Sequence, residues 1–150
     1  MAHIELPLKD FFQGKHITLI HFPRNLSSEE AAVVVEGMDA LGKIYGDYMY
    51  DMYYGEKVFF GPHYNRVPAV TVELGTNALL DFRERLVHGI RSKLPGLPIS
   101  QDYGEKWEPH VSHPPVGVTT WGPLHYVREL RLVVGEVAIP VPFPDPAPEG

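Results

Sequence analysis

Cysteine is absent from all 150 residues of the chain. Disulfide bonds and thiolate metal sites are therefore excluded, and the composition suits a reducing cytosol. Apolar runs long enough to span a bilayer are absent as well. The opening stretch MAHIELPLKDFF has neither the basic start nor the long apolar segment of a signal peptide. We therefore expect a cytoplasmic protein that has no membrane partner.

Positive charge is scarce: 13 Lys and Arg face 19 Asp and Glu, for a formal net charge of −6. A protein that binds long nucleic acid usually carries a basic surface. This balance argues against such a partner, and it leaves a small phosphorylated ligand open.

Apolar residues, in contrast, make up 44% of the chain, which is enough for the core of one globular domain. We predict a single domain over residues 1–141. The last residues, 142–150, are proline-rich and acidic, and we expect a flexible tail there.

Short runs rich in β-branched and aromatic residues alternate with two amphipathic segments. Ser27 or Ser28 is a suitable N-cap for the first helix and Asn77 for the second. The helices are predicted over 28–45 and 77–94. The predicted strands are 16–22, 57–60, 67–74, 109–112, 127–134 and 136–141.

Each half of the chain has a short strand that carries a histidine and, two residues later, a hydroxyl. The two pairs are His16 with Thr18 and His110 with Ser112. Residues i and i+2 of a strand share a face, so each histidine lies beside its hydroxyl. If the two strands are neighbours, two imidazoles and two hydroxyls meet in one groove. The repeat also suggests two related halves around a pseudo-twofold axis.

These four side chains suit the hydrolysis of a phosphodiester without a metal. One imidazole can take a proton from water, and the other can give a proton to the leaving oxygen. The hydroxyls can donate hydrogen bonds to the non-bridging phosphate oxygens, where negative charge develops.

The stretches HITLIHF and WEPHVSH resemble the paired H-x-[T/S] motifs of the two-histidine (2H) phosphoesterase superfamily, which includes 2′-5′ RNA ligase-like proteins and cyclic phosphodiesterases. The resemblance implies an α+β, bilobal, pseudo-twofold fold with antiparallel sheets around a central groove and flanking helices. It implies a metal-independent phosphodiesterase without a cofactor. In that function His16 and His110 are the catalytic pair, and Thr18 and Ser112 bind phosphate.

The resemblance also implies a small nucleotide substrate with a cyclic or 2′-5′ phosphodiester. The negative net charge and the short length of the chain favour a cyclic di- or oligonucleotide messenger as substrate. Some compact viral members of the superfamily destroy such messengers to evade host immunity, which would place the protein in the cytoplasm of an infected host. One alternative is a 2′,3′-cyclic phosphodiesterase that acts on RNA ends or derived nucleotides. Another is a non-catalytic protein that binds and sequesters a nucleotide.

Aromatic residues in predicted loops are candidates for substrate binding, because nucleobases stack on aromatic rings. We select Tyr64, Tyr103 and Trp107. A basic phosphate clamp is not evident, and the candidates for one are Lys15, Arg24, Arg66 and Lys106.

The remaining histidines receive no catalytic role. By strict alternation His21 faces away from His16, and His113 faces away from His110. Such pairs are poor metal ligands, and no carboxylate cluster accompanies them, so we predict no metal site. No motif surrounds the other four histidines, which are His3, His63, His88 and His125.

Overall fold

The computed structural model describes residues 1–45, 51–60, 67–100, 107–119 and 121–144. Over these ranges the chain is α+β, as the sequence predicted. The helices are α1 (Ser28–Tyr45) and α2 (Ala78–Lys93). The strands are β1 (Ala2–Pro7), β2 (His16–Phe22), β3 (Met52–Phe60), β4 (Val67–Leu74), β5 (His110–Ser112), β6 (Gly122–Pro123), β7 (Glu129–Val134) and β8 (Val137–Pro142). Neither of these helices has the length and apolarity needed to cross a membrane.

All eight strands belong to one antiparallel sheet, in the order β6-β3-β4-β5-β2-β1-β7-β8. The sequence led us to expect separate sheets. The structure joins them, because β2 and β5 pair at the centre of the sheet. The two strands that carry the histidine motifs are therefore direct neighbours.

The core is a single hydrophobic cluster that the strands share with both helices. Ile17, Leu19 and Val111 are fully buried in it, as the alternation in β2 and β5 predicted. α1 packs on β7 and β8, and α2 packs on β2. Full burial of such an aliphatic side chain contributes about 1.5–3 kcal/mol. The apolar sides of the two motif strands therefore hold them firmly against the core.

α1 begins with a capping box. The Ser27 hydroxyl accepts a hydrogen bond from the backbone N–H of Glu30 at 3.1 Å, and the N–H of Ser27 donates to the Glu30 carboxylate at 2.9 Å. Asn77 precedes α2 but makes no capping hydrogen bond with its side chain. Instead, Oγ1 of Thr76 accepts from the N–H of Ala78 at 3.3 Å.

Two features of the ends of the chain differ from the sequence prediction. β1 was not predicted, yet it lies between β2 and β7. Phe143, which we assigned to the tail, is 5% exposed and its ring lies against Gly42 and Tyr126. The folded part therefore extends to Phe143, because a buried aromatic ring anchors the chain after β8.

Candidate functional site

The pairing of β2 with β5 brings the two motifs together. Ile17 lies opposite Val111 in an antiparallel register. This register puts His16 opposite Ser112 and Thr18 opposite His110, and all four point away from the buried face. The structure thus places the four predicted site residues side by side on one face of the sheet, which we call the groove face.

His110 is held in one tautomer. The residue is 8% exposed, and its Nδ1 lies 3.0 Å from the backbone carbonyl of Glu108. A carbonyl oxygen can only accept, so Nδ1 carries the proton of this hydrogen bond. The neutral ring therefore has its lone pair on Nε2, and that nitrogen can exchange a proton with a ligand.

His16 is half-buried, and two residues of β1 surround it. Its Nδ1 lies 3.7 Å from Oε2 of Glu5, and its ring stacks on that of His3 with centroids 5.5 Å apart. Burial lowers the pKa of His16 from its ordinary value, and the Glu5 carboxylate opposes this. Electrostatic interactions with His3, Lys15 and His110 lower the pKa further. The lowered pKa favours the neutral form of His16, which is able to accept a proton.

Glu5 is a buried carboxylate, 9% exposed, whose Oε1 accepts a hydrogen bond from Nε2 of His3 at 2.8 Å. Burial by itself raises the pKa of Glu5. The hydrogen bond from His3 and the electrostatic interactions with His16, His3 and Arg131 outweigh it, and the pKa of Glu5 lies below the ordinary value. An ionised carboxylate thus lies beside Nδ1 of His16.

His3 and Glu5 were missed in the sequence, and His21 was misplaced. A bulge in β2 explains the error for His21. Ile4 pairs with Ile20 but Glu5 pairs with Thr18, so one residue of β2 is extra. After the bulge the alternation changes phase, and His21 turns to the groove face, 5.7 Å from His3 between ring centroids.

The prediction that His21 faces away from His16 is therefore wrong. His3 also belongs to this site, although we gave it no role. The alternating pattern AHIEL at the start of the chain was the available signal. His113 is exposed with a φ of 50° at the end of β5, and its N–H donates to the carbonyl of Pro68 at 2.8 Å.

Trp107 contacts the site through the backbone of β2. Its Nε1 donates to the carbonyl of Thr18 at 3.2 Å, and the Arg83 guanidinium covers its ring at 5.0 Å. β5 pairs with β2 only at Ile17, and Trp107 provides a hydrogen-bond donor to the backbone next to that pairing. Trp107 thus fixes the backbone that carries Thr18. Tyr64 and Tyr103 lie outside the described residues.

Of the four basic residues that are candidates for a phosphate clamp, Arg66 and Lys106 also lie outside the described residues. Arg24 binds the carboxylate of Glu30 at 2.8 Å at the start of α1. Lys15 precedes His16 directly and contributes to its electrostatic environment. Arg131, which we did not select, lies opposite Glu5 in β7 and so reaches the groove face.

An aromatic pair that is not among the three selected substrate-binding residues lies farther along the groove face. The rings of Tyr53 and Trp121 stack with centroids 5.0 Å apart, and Trp121 is 56% exposed. Tyr53 lies opposite Glu73 in β4, and His110 lies opposite Thr71, two residues away. Strand geometry therefore puts Tyr53 roughly 12 Å from His110, on the same face.

Among known proteins, no family model and no curated sequence matches the chain. A solved structure that is similar is the crystal structure of TT0787 of Thermus thermophilus. It superposes with a TM-score of 0.61 at 14% sequence identity, over 93% of this chain and 94% of that chain. The protein therefore shares the fold of TT0787 over nearly its whole length.

Proposed function

We propose that the protein is a metal-independent phosphodiesterase of the two-histidine type. The observation that carries the proposal is the pairing of Ile17 with Val111, since it sets both histidine–hydroxyl pairs side by side on the groove face. The four strands on either side of this pairing also fit the two-lobed, pseudo-twofold arrangement that the sequence motifs imply.

In this proposal the two imidazoles have different roles. His16, whose pKa is lowered, takes a proton from a water molecule, and the water oxygen attacks phosphorus. His110 in its imidazolium form, with Nδ1 bonded to the Glu108 carbonyl, gives its Nε2 proton to the ester oxygen as the bond from phosphorus to that oxygen breaks. Thr18 and Ser112 donate to the non-bridging oxygens, whose charge grows in the transition state.

The substrate that suits the site is a small nucleotide with a cyclic or 2′-5′ phosphodiester. The stacked pair of Tyr53 and Trp121 supports this, because an exposed aromatic surface on the groove face can take up a nucleobase. Within this class we favour a cyclic di- or oligonucleotide messenger. With that substrate we propose a role in defeating a host defence and a location in the cytoplasm. The 2′,3′-cyclic phosphate end of an RNA is the competing substrate.

The test is incubation with a panel of substrates in the presence of EDTA. The panel contains cyclic dinucleotides, cyclic trinucleotides, 2′-5′ oligoadenylate and 2′,3′-cyclic mononucleotides, and chromatography separates the products. Turnover of at least one compound is the expected result. Binding without turnover would show that the protein sequesters a nucleotide and does not hydrolyse it. Loss of activity on addition of EDTA would contradict the metal-free mechanism.

A further inference from the structure

One group of three potential metal ligands exists among the described residues, and it belongs to the groove face. It consists of His3, Glu5 and His16, whose ligand atoms all lie within 4.8 Å of one another. His3 and Glu5 come from β1 and His16 from β2, which is paired with β1. The group therefore rests on the backbone of two adjacent strands rather than on a loop.

We propose that these three residues bind a transition-metal ion such as Zn²⁺, and that the bound ion inhibits the phosphodiesterase. The proposal that the ion binds does not depend on the function proposed above. The inhibition rests on the function proposed above.

The distances suit such an ion. A tetrahedral zinc site has bonds of about 2.0–2.2 Å, so neighbouring ligand atoms lie roughly 3.3 Å apart. The structure has 2.8 Å between Nε2 of His3 and Oε1 of Glu5, and 3.7 Å between Nδ1 of His16 and Oε2 of Glu5. Both distances lie within about 0.5 Å of that value.

The ligand chemistry selects the class of metal. Two imidazoles and one carboxylate suit Zn²⁺ and neighbouring transition metals, whereas Mg²⁺ and Ca²⁺ prefer oxygen ligands alone. Glu5 is 9% exposed, so a cation at this point compensates a carboxylate that has little access to water. His21, on the same face and near His3, offers a further imidazole.

Arg131 is the cation that competes with the metal, because its charge also acts on Glu5. Its Nε, however, donates to the carboxylate of Glu129 at 2.9 Å. This hydrogen bond ties the guanidinium to a neighbour on its own strand. Among the described residues, the contacts of the Glu5 oxygens are therefore with His3 and His16, and Arg131 makes no direct bond to them.

Inhibition follows from the atom of His16 that the ion would occupy. A metal on Nδ1 leaves the ring with its proton on Nε2, so the ring has no lone pair with which to accept a proton from water. His16 then loses its function as general base.

The test measures zinc binding without any substrate, by competition with a chromophoric chelator and by the visible spectrum of the Co²⁺-loaded protein. The wild-type chain should bind one ion, and His3→Ala and Glu5→Gln should each weaken binding at least tenfold. His88→Ala, an exposed histidine on α2, is the matched control and should bind zinc as the wild type does. Equal zinc affinity in wild type and His3→Ala would overturn the site.

A second measurement separates this inference from the proposed function. If the EDTA-treated protein hydrolyses a substrate, Zn²⁺ should inhibit the wild type with the same affinity that direct binding gives. Activity that persists at saturating zinc would overturn the inhibition. Zinc binding through His3 in a protein that turns over no substrate would leave the metal site standing and remove the phosphodiesterase.

Discussion

Ile17 and Val111 lie directly opposite each other at the centre of the sheet, and both are fully buried. These two apolar residues take no part in chemistry. Their pairing nevertheless decides which polar groups meet on the other face, because the residues on either side of each turn outward. His16 and His110, far apart in the sequence, become neighbours as a result.

Loss of either histidine should remove most of the activity and leave the fold intact. His16→Ala and His110→Ala should each lower kcat by about 10²–10⁴-fold, the usual contribution of a positioned acid or base. His88→Ala, an exposed histidine on α2, is the matched control. Initial rates on the active substrate and circular dichroism of each variant provide the check. Near wild-type turnover by either groove variant would exclude the two-histidine mechanism.

The hydroxyls should matter less than the imidazoles. Thr18→Val keeps the shape of the side chain, and Ser112→Ala removes only the hydroxyl. Each should cost about 1–3 kcal/mol of transition-state stabilisation, which is roughly a 5- to 150-fold fall in kcat/KM. A change confined to KM would show that the hydroxyl binds ground state and transition state equally.

Glu5→Gln should shift the pH dependence. The carboxylate raises the pKa of His16, so its removal lowers that pKa further. With His16 as general base, the acidic limb of the kcat/KM profile should move to lower pH than in the wild type. NMR titration of the His16 ring gives the same shift directly. Glu129→Gln is the control, since Glu129 is not among the groups that act on His16. An unchanged profile and titration would show that Glu5 does not act on His16.

The two tryptophans of the chain should separate positioning from substrate contact. Trp107→Phe removes the hydrogen bond to the Thr18 carbonyl, so we expect a loss of about 0.5–1.5 kcal/mol in the free energy of unfolding and a lower kcat. Trp121→Ala removes the exposed partner of Tyr53 and should mainly raise KM. Urea denaturation and steady-state kinetics distinguish the two. If Trp121→Ala has the wild-type KM, the aromatic pair does not bind the base.

The start of α1 should contribute to acid stability. Hydrogen bonds from Arg24 and Ser27 lower the pKa of Glu30 to about 2. Its folded-state pKa is below the ordinary 4.5, so its contribution is complete above pH 4.5 and is lost as the pH falls through about 2. In Glu30→Gln the urea midpoint should depend less on pH over that window. Glu29→Gln removes a charge from the same turn without those hydrogen bonds, and it should retain the wild-type dependence.

Local patterns determined much of this protein. The limits of β2 and α1 follow from β-branched enrichment and a capping serine, because these preferences act over a few residues. The choice of His16, Thr18, His110 and Ser112 came from alternation within each strand. The pairing of β2 with β5 could only be assumed from the sequence, since strand pairing is a long-range contact that no local pattern specifies.

The tertiary structure decided what surrounds the motifs. β1 enters the sheet between β2 and β7 and brings His3 and Glu5 to the groove face. The bulge in β2 turns His21 to that face, against the alternation of the sequence. A bulge is defined only by the partner strand that it opposes, so a single strand's sequence does not reveal it. The sequence by itself therefore determined the candidate catalytic residues, and only the pairing with β1 decided the charge and ligands around His16.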